Sequence, residues 1–167
     1  MSIKQNGGVF GRNPTFNDVT IEGQLTFDGD IDINSDLKID GALEVTGEIS
    51  ADGGITVGNK KVNLGSTGGA QLTLASGAIT VTASNHQLAN EGGAATDDLD
   101  TINGGTSGDI LILSAASNGQ DINVKNSTGN IVLSVASGDC TLGNIKDKII
   151  LIYQGSAWYE ISRSINA

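Results

Sequence analysis

The sequence predicts an all-β protein in two parts: a short intertwined stem resembling a trimeric β-helix, then an antiparallel β-sandwich head of jelly-roll type. Three observations carry this. Glycine supplies 24 of 167 residues, proline one and aromatics 4%, a composition of many short strands and turns. A six-residue unit repeats seven times without a slip over residues 19–59. After residue 60 the rhythm gives way to short alternating runs separated by glycine-containing turns.

The first element is an arm, residues 1–17. It contains Lys4 and Arg12 and no acid, whereas the chain as a whole carries a net charge of −10. A cationic arm on an acidic body is suited to docking on an acidic partner. Pro14 fixes its own backbone and biases Asn13 toward an extended shape. Lys4, Phe10, Arg12, Pro14 and Phe16 are the candidate anchoring residues.

The stem, residues 18–60, is built from the repeat apolar, x, apolar, x, Gly-like, x. Its fifth position reads Gly23, Gly29, Ser35, Gly41, Gly47, Gly53 and Asn59. Alternation marks an extended chain, and glycine at a fixed place predicts a corner that uses left-handed backbone angles, for which Ser35 is the weak fit. A single-chain β-helix with about three hexads per coil would have little more than two coils, below the roughly three a solenoid needs. A flat meander would leave very short strands with open edges. Three chains wound about one axis close their edges. At ~4.8 Å per layer they build a stem on the order of 35 Å long. The predicted trimer core is Val19, Ile21, Leu25, Phe27, Ile31, Ile33, Leu37, Ile39, Leu43, Val45, Ile49, Ile55 and Val57. Asp28, Asp30 and Asp32 suggest a calcium loop, but Ile33 occupies the place where such a loop needs glycine, so they read as a solvated acidic face.

Lys60 and Lys61 mark the change of rhythm, and residues 65–69 read as a linker into the head, residues 61–167. Eight strands are predicted there: QLTLA (71–75), AITVTA (78–83), DILILS (109–114), DINVK (121–125), NIVLSV (130–135), CTL (140–142), KIILIY (148–153) and AWYEIS (157–162). The stretch 84–108, with His86, Asp97, Asp98 and Asp100, reads as a surface loop or subunit contact.

Charge and composition exclude several functions. An acidic chain with pI near 4.2 is unsuited to nucleic acid or to anionic membranes. No apolar run reaches bilayer length, and the sequence MSIKQNGG has no signal-peptide core, so a soluble product made in a cytoplasm is expected. One cysteine, Cys140, permits no intrachain disulfide and reads as a small buried residue. With His86 the only histidine and no nucleophile elbow, neither a catalytic nor a metal site is expected, and no cofactor. Asn103-Gly104-Gly105-Thr106 precedes a strand rather than a helix and so reads as a turn. Trp158 and Tyr159 point to opposite faces of the last strand, one inward and one free for contact. His86 and Trp158 are the candidate recognition residues.

The run NPTFNDVTIEGQLTFDG (13–29), followed by glycine-cornered strands, resembles the attachment and stem regions of tailed-bacteriophage fibres, notably those of marine phages. The runs DDLDTINGGTSGDILIL (97–113) and DKIILIYQGSAWYEISRS (147–164) resemble terminal β-domains of phage fibre and virion-surface proteins. The resemblance implies a homotrimer on the virion surface, made in the host cytoplasm, with the arm bound to a capsid or tail protein. Because the stem is short, a compact spike or capsid decoration is expected rather than a reaching fibre. The alternative is an adhesin whose head binds a host surface glycan or outer-membrane protein.

Overall fold

A computed structural model describes residues 20–26, 28–58, 61–64, 70–134 and 138–166. The arm with Lys4, Phe10, Arg12, Pro14 and Phe16, the stem residues Val19, Phe27, Asn59 and Lys60, and the linker 65–69 lie outside the described residues. The chain divides into two units, Met1–Gly54 and Ile55–Ala167, so the boundary falls inside the predicted stem.

In the first unit the chain bends every six residues, at 22–23, 28–29, 34–35, 40–41, 46–47 and 52–53. The hexad period is thus a geometric period. The corners differ from expectation in one respect: Gly23, Gly29, Gly41, Gly47 and Gly53 do not enter the left-handed region. Ser35 therefore meets no backbone penalty at its corner. Among the described residues of this unit only Gly54 takes a positive φ, +82°, where its N–H donates to the Ala51 carbonyl at 3.0 Å.

The second unit is all-β and stacks like a solenoid. Its strands are β1 (Gln71–Thr73), β2 (Ala78–Thr80), β3 (Asn85–Ala89), β4 (Thr96–Leu99), β5 (Thr101–Asn103), β6 (Ile110–Ala115), β7 (Asp121–Val124), β8 (Ile131–Val132), β9 (Cys140–Leu142), β10 (Lys148–Gln154) and β11 (Ala157–Ser164). Three faces form as the chain winds. β1, β3 and β6 stack in parallel on one, β2 and β5 on the second, β4 and β7 on the third. Then the chain folds back: β9 pairs antiparallel with β7, β10 with β6, and β11 with β10. β11 also runs parallel to β8.

All eight predicted head strands are present, but the antiparallel sandwich is not their arrangement. The extra strands β3, β4 and β5 occupy the stretch read as a surface loop, and they complete a coil. Most glycine turns before residue 130 carry the chain on to the next face instead of reversing it, so like strands meet in parallel one coil later. Reversal is local: Ser76 and Gly77 (φ 51° and 75°) close the Ala75–Ala78 bridge, and Gly155 (φ 67°) closes the β10–β11 hairpin.

Alternate residues point inward and pack into one core that includes Leu88, Leu99, Ile102, Leu113, Ile122, Leu142, Ile149 and Leu151. β5, the entry to β8 and the start of β11 are joined around Ile102. The Asn130 side chain accepts the Ile102 N–H at 2.9 Å and donates to the Ile102 carbonyl at 2.8 Å, standing in for a neighbouring strand. The same carbonyl accepts the Trp158 indole N–H at 3.1 Å, and the Asn130 carbonyl accepts the Trp158 backbone N–H at 2.8 Å. Gly129 brings Asn130 there with φ 70°, and a Cβ on it would lie 2.3 Å from the Asp100 carbonyl oxygen.

Gly129→Ala is therefore expected to destabilise the head by about 2–3 kcal/mol through backbone strain and lost Asn130 bonds. Gly119→Ala, with open space around the position and no positive φ, is expected to stay within about 0.5 kcal/mol of the parent in urea unfolding.

Candidate functional site

The hexads form the most unusual surface of the chain. Eleven large apolar residues between Ile21 and Val57 are exposed, in two tiers. First-position residues are the more exposed, from 53% at Leu25 to 68% at Ile55, and third-position residues range from 40% at Val57 to 47% at Ile33. These are the predicted trimer-core residues that fall among those described. Among the described residues of 20–58, the Gly54–Ala51 bond is the single backbone–backbone hydrogen bond. A Cβ at Gly23, Gly29, Gly41, Gly47 or Gly53 would meet nothing within 4 Å. Neither backbone angle nor intrachain crowding therefore accounts for the glycine column. Asp28, Asp30 and Asp32 are exposed, and among the described residues no three His, Cys, Asp or Glu side chains converge as metal ligands.

The two candidate recognition residues are interior, which corrects the expectation. His86 is fully buried. Its Nδ1 lies 2.8 Å from the Ala70 carbonyl, and its Nε2 faces the N–H groups of Thr82 and Ala83 at 3.2 and 3.1 Å. The two N–H donors make Nε2 the acceptor, which leaves Nδ1 to donate to the Ala70 carbonyl. The imidazole pins the start of β1 and the loop before β3, and has no face left for a ligand. Trp158 is 1% exposed, its indole N–H committed to Ile102, its ring in edge contact with Tyr153 at 5.1 Å. The alternation reading of the pair is correct, but the outward member is Tyr159, 41% exposed.

Of the acids of the presumed loop, Asp97 and Asp98 lie on β4 and Asp100 in the link between β4 and β5. Asp97 caps a 3₁₀ turn, Glu91–Gly93, by accepting the Glu91 N–H at 2.7 Å. Asp98, Asn123 and Thr141 sit in register across β4, β7 and β9 and form a polar ladder: Asn123 donates to Asp98 at 3.0 Å and accepts from Thr141 at 2.8 Å. Lys125 extends it with an ion pair to Asp139 at 2.5 Å, which holds the Asp139 carboxyl below and the Lys125 ammonium above their ordinary values. Cys140 is free and buried, and burial pushes its thiol up, so the thiolate is disfavoured.

A cleft of about 270 Å³ opens between Thr82, Ser84, Gly104, Asp109 and the edge of Trp158. Its one carboxylate, Asp109, already accepts the Thr106 N–H at 2.7 Å, and no base or nucleophile pair faces it. The other charged pair in the head has no signature in the residue pattern. Glu160 on β11 is enclosed by the two guanidinium bonds of Arg163 and the Ser134 N–H at 2.9 Å. The guanidinium, first, and the Ser134 N–H hold its carboxyl down to about 2. Comparison with known protein families and with curated proteins finds no match to the chain.

Since the folded carboxyl titrates below its ordinary 4.5, the Glu160 contribution is complete above about pH 4.5 and disappears as pH falls toward 2. Glu160→Gln is expected to cost roughly 2 kcal/mol at pH 7, with the difference from the parent vanishing by about pH 2 in thermal melts.

Proposed function

We propose that the chain is a non-enzymatic structural protein of a bacteriophage particle, a homotrimeric short spike or capsid decoration whose hexads form a three-chain stem and whose arm fastens it to a capsid or tail protein. One observation carries the assembly: eleven large apolar side chains exposed at 40–68% on a six-residue period, in a segment whose described residues make a single backbone–backbone hydrogen bond among themselves. Burying such side chains contributes about 1.5–3 kcal/mol each toward offsetting the ordering of the segment. Companion chains would also supply the missing N–H and C=O partners. They explain the glycine column too, since the open space beside each corner is where a neighbouring backbone would pass.

The particle part of the reading is supported by the resemblance of residues 13–29, 97–113 and 147–164 to phage fibre and virion-surface segments. A head that binds a host receptor has less support, because His86 and Trp158 are both interior.

Light scattering of the full-length protein is expected to give the mass of three 17.0-kDa chains. The double substitution Leu37→Asp, Leu43→Asp is expected to give one chain with the head still folded. A single-chain mass for the parent would reject the stem. Deletion of residues 1–17 is expected to leave the trimer intact and abolish incorporation into particles; unchanged incorporation would reject the arm as anchor.

A further inference from the structure

Four strands of the six-stranded sheet, β6, β10, β11 and β8, carry apolar residues on their outer face. Strand register places Ile110, Ile152, Tyr159 and Val132 in one row across β6, β10, β11 and β8. Ile112 and Ile150 form the next row, and the bulge between Ile150 and Leu151 turns Ile161 out beside them. Their inward neighbours Leu111, Leu113, Ile149, Leu151 and Trp158 are at most 1% exposed, so this row lies on the opposite side of the sheet from the core. Ile110, Tyr159 and Ile161 are exposed at 45, 41 and 54%. The neighbouring outward positions are Asn85, Gln87, Ser114, Lys148 and Ser162, none of them acidic, and Glu160 is turned away into its pair with Arg163.

We propose that this face is an interface between heads of copies of the same chain. The inference rests on the three-chain stem. Two features select a second copy as the occupant. At a net charge of −10, like charge opposes contact between copies over most of their surface, and least at a face without carboxylates. Size gives the second argument: four strands at ~4.8 Å and two rows of side chains make a patch on the order of 300 Å², against roughly 800 Å² per partner in a stable free-standing interface. Such a patch is too small to recruit an untethered partner. Chains joined through a stem meet one another at an effective concentration near ~1 mM, where a small patch suffices.

Two full-length variants test this by their maleimide labelling rates: Ile161→Cys on the patch, and Thr141→Cys on the exposed polar ladder of β4, β7 and β9. In the three-chain assembly Cys at 161 is expected to label about tenfold more slowly than Cys at 141. In the same variants with Leu37→Asp and Leu43→Asp added, the two rates are expected to converge. Equal rates in a protein of three-chain mass would overturn the interface and leave the stem standing, and so would protection at 161 that persists after the stem is broken. A single-chain mass for the parent would remove both. As an independent check, Tyr159→Lys is expected to keep the three-chain mass but enlarge the hydrodynamic radius as the heads separate. An unchanged radius would count against the interface.

Discussion

The head depends on how its backbone closes where strands are only two or three residues long. Such strands make few ladder bonds each, and an unpaired buried N–H or carbonyl costs about as much as a lost hydrogen bond. At β5 the problem is sharpest, because Ile102 is buried and its coil has no regular strand stacked on that side. Asn130 solves it with a primary amide, the one side-chain group that presents a donor and an acceptor at the spacing of a peptide. Its own carbonyl then receives Trp158, so one residue ties β5, the entry to β8 and the start of β11. The tie works only because Gly129 can approach the Asp100 carbonyl without a side chain.

The folded-back strands complete the same logic. A stack of parallel coils ends in an open edge, which invites pairing with other chains. Here β10 covers β6 and β9 covers β7, and Asp147 secures the end of the chain by accepting the N–H groups of Gly143, Asn144 and Asn166. The hexad segment has no comparable device. Among its described residues one backbone–backbone bond forms, Gly54 to Ala51, and its apolar residues are outside, so the requirement that the head meets internally is, in our reading, met there by other chains. The two units thus present one physical demand with two solutions.

The period-2 alternation of the head was legible, and so were its turn glycines, which is why eight strands could be placed from residues alone. Their partners were not. A run such as DILIL has the same inside-out pattern whether its neighbour is parallel or antiparallel, and the choice is made by whether each turn reverses the chain or only rotates it. Coil spacings differ as well: Ile79 meets Ile102, Leu99 meets Val124 and Leu88 meets Ala115. Such unequal steps produce no sequence repeat. β4 was hidden because TDDL carries a single inward apolar residue, and β3 because its inward positions are His86 and Leu88. His86 misled for the same reason: a lone histidine among acids reads as surface chemistry, yet three backbone groups with no strand partner had claimed its ring. For the hexads the reverse held. Their six-residue geometry was plain in the sequence, while the backbone angles at the glycines were not, because glycine is needed both where φ is positive and where another chain passes close, and composition does not distinguish the two.

Charge and apolar exposure have to be considered together in this chain. Eleven exposed hexad side chains on a neutral protein would favour indiscriminate aggregation. A net charge of −10, spread over the stem's outward positions and the polar ladder, opposes every contact except those that bury enough apolar surface to overcome it. In the proposed three-chain stem the hexads meet that condition, because each successive unit adds two more apolar side chains in fixed register and a mismatched register would bring acidic positions against the core. In the same proposal the Tyr159 face meets it only when copies are already held together by the stem. In the assembly we propose, association is ordered: the stem first, by area, and the heads second, by proximity.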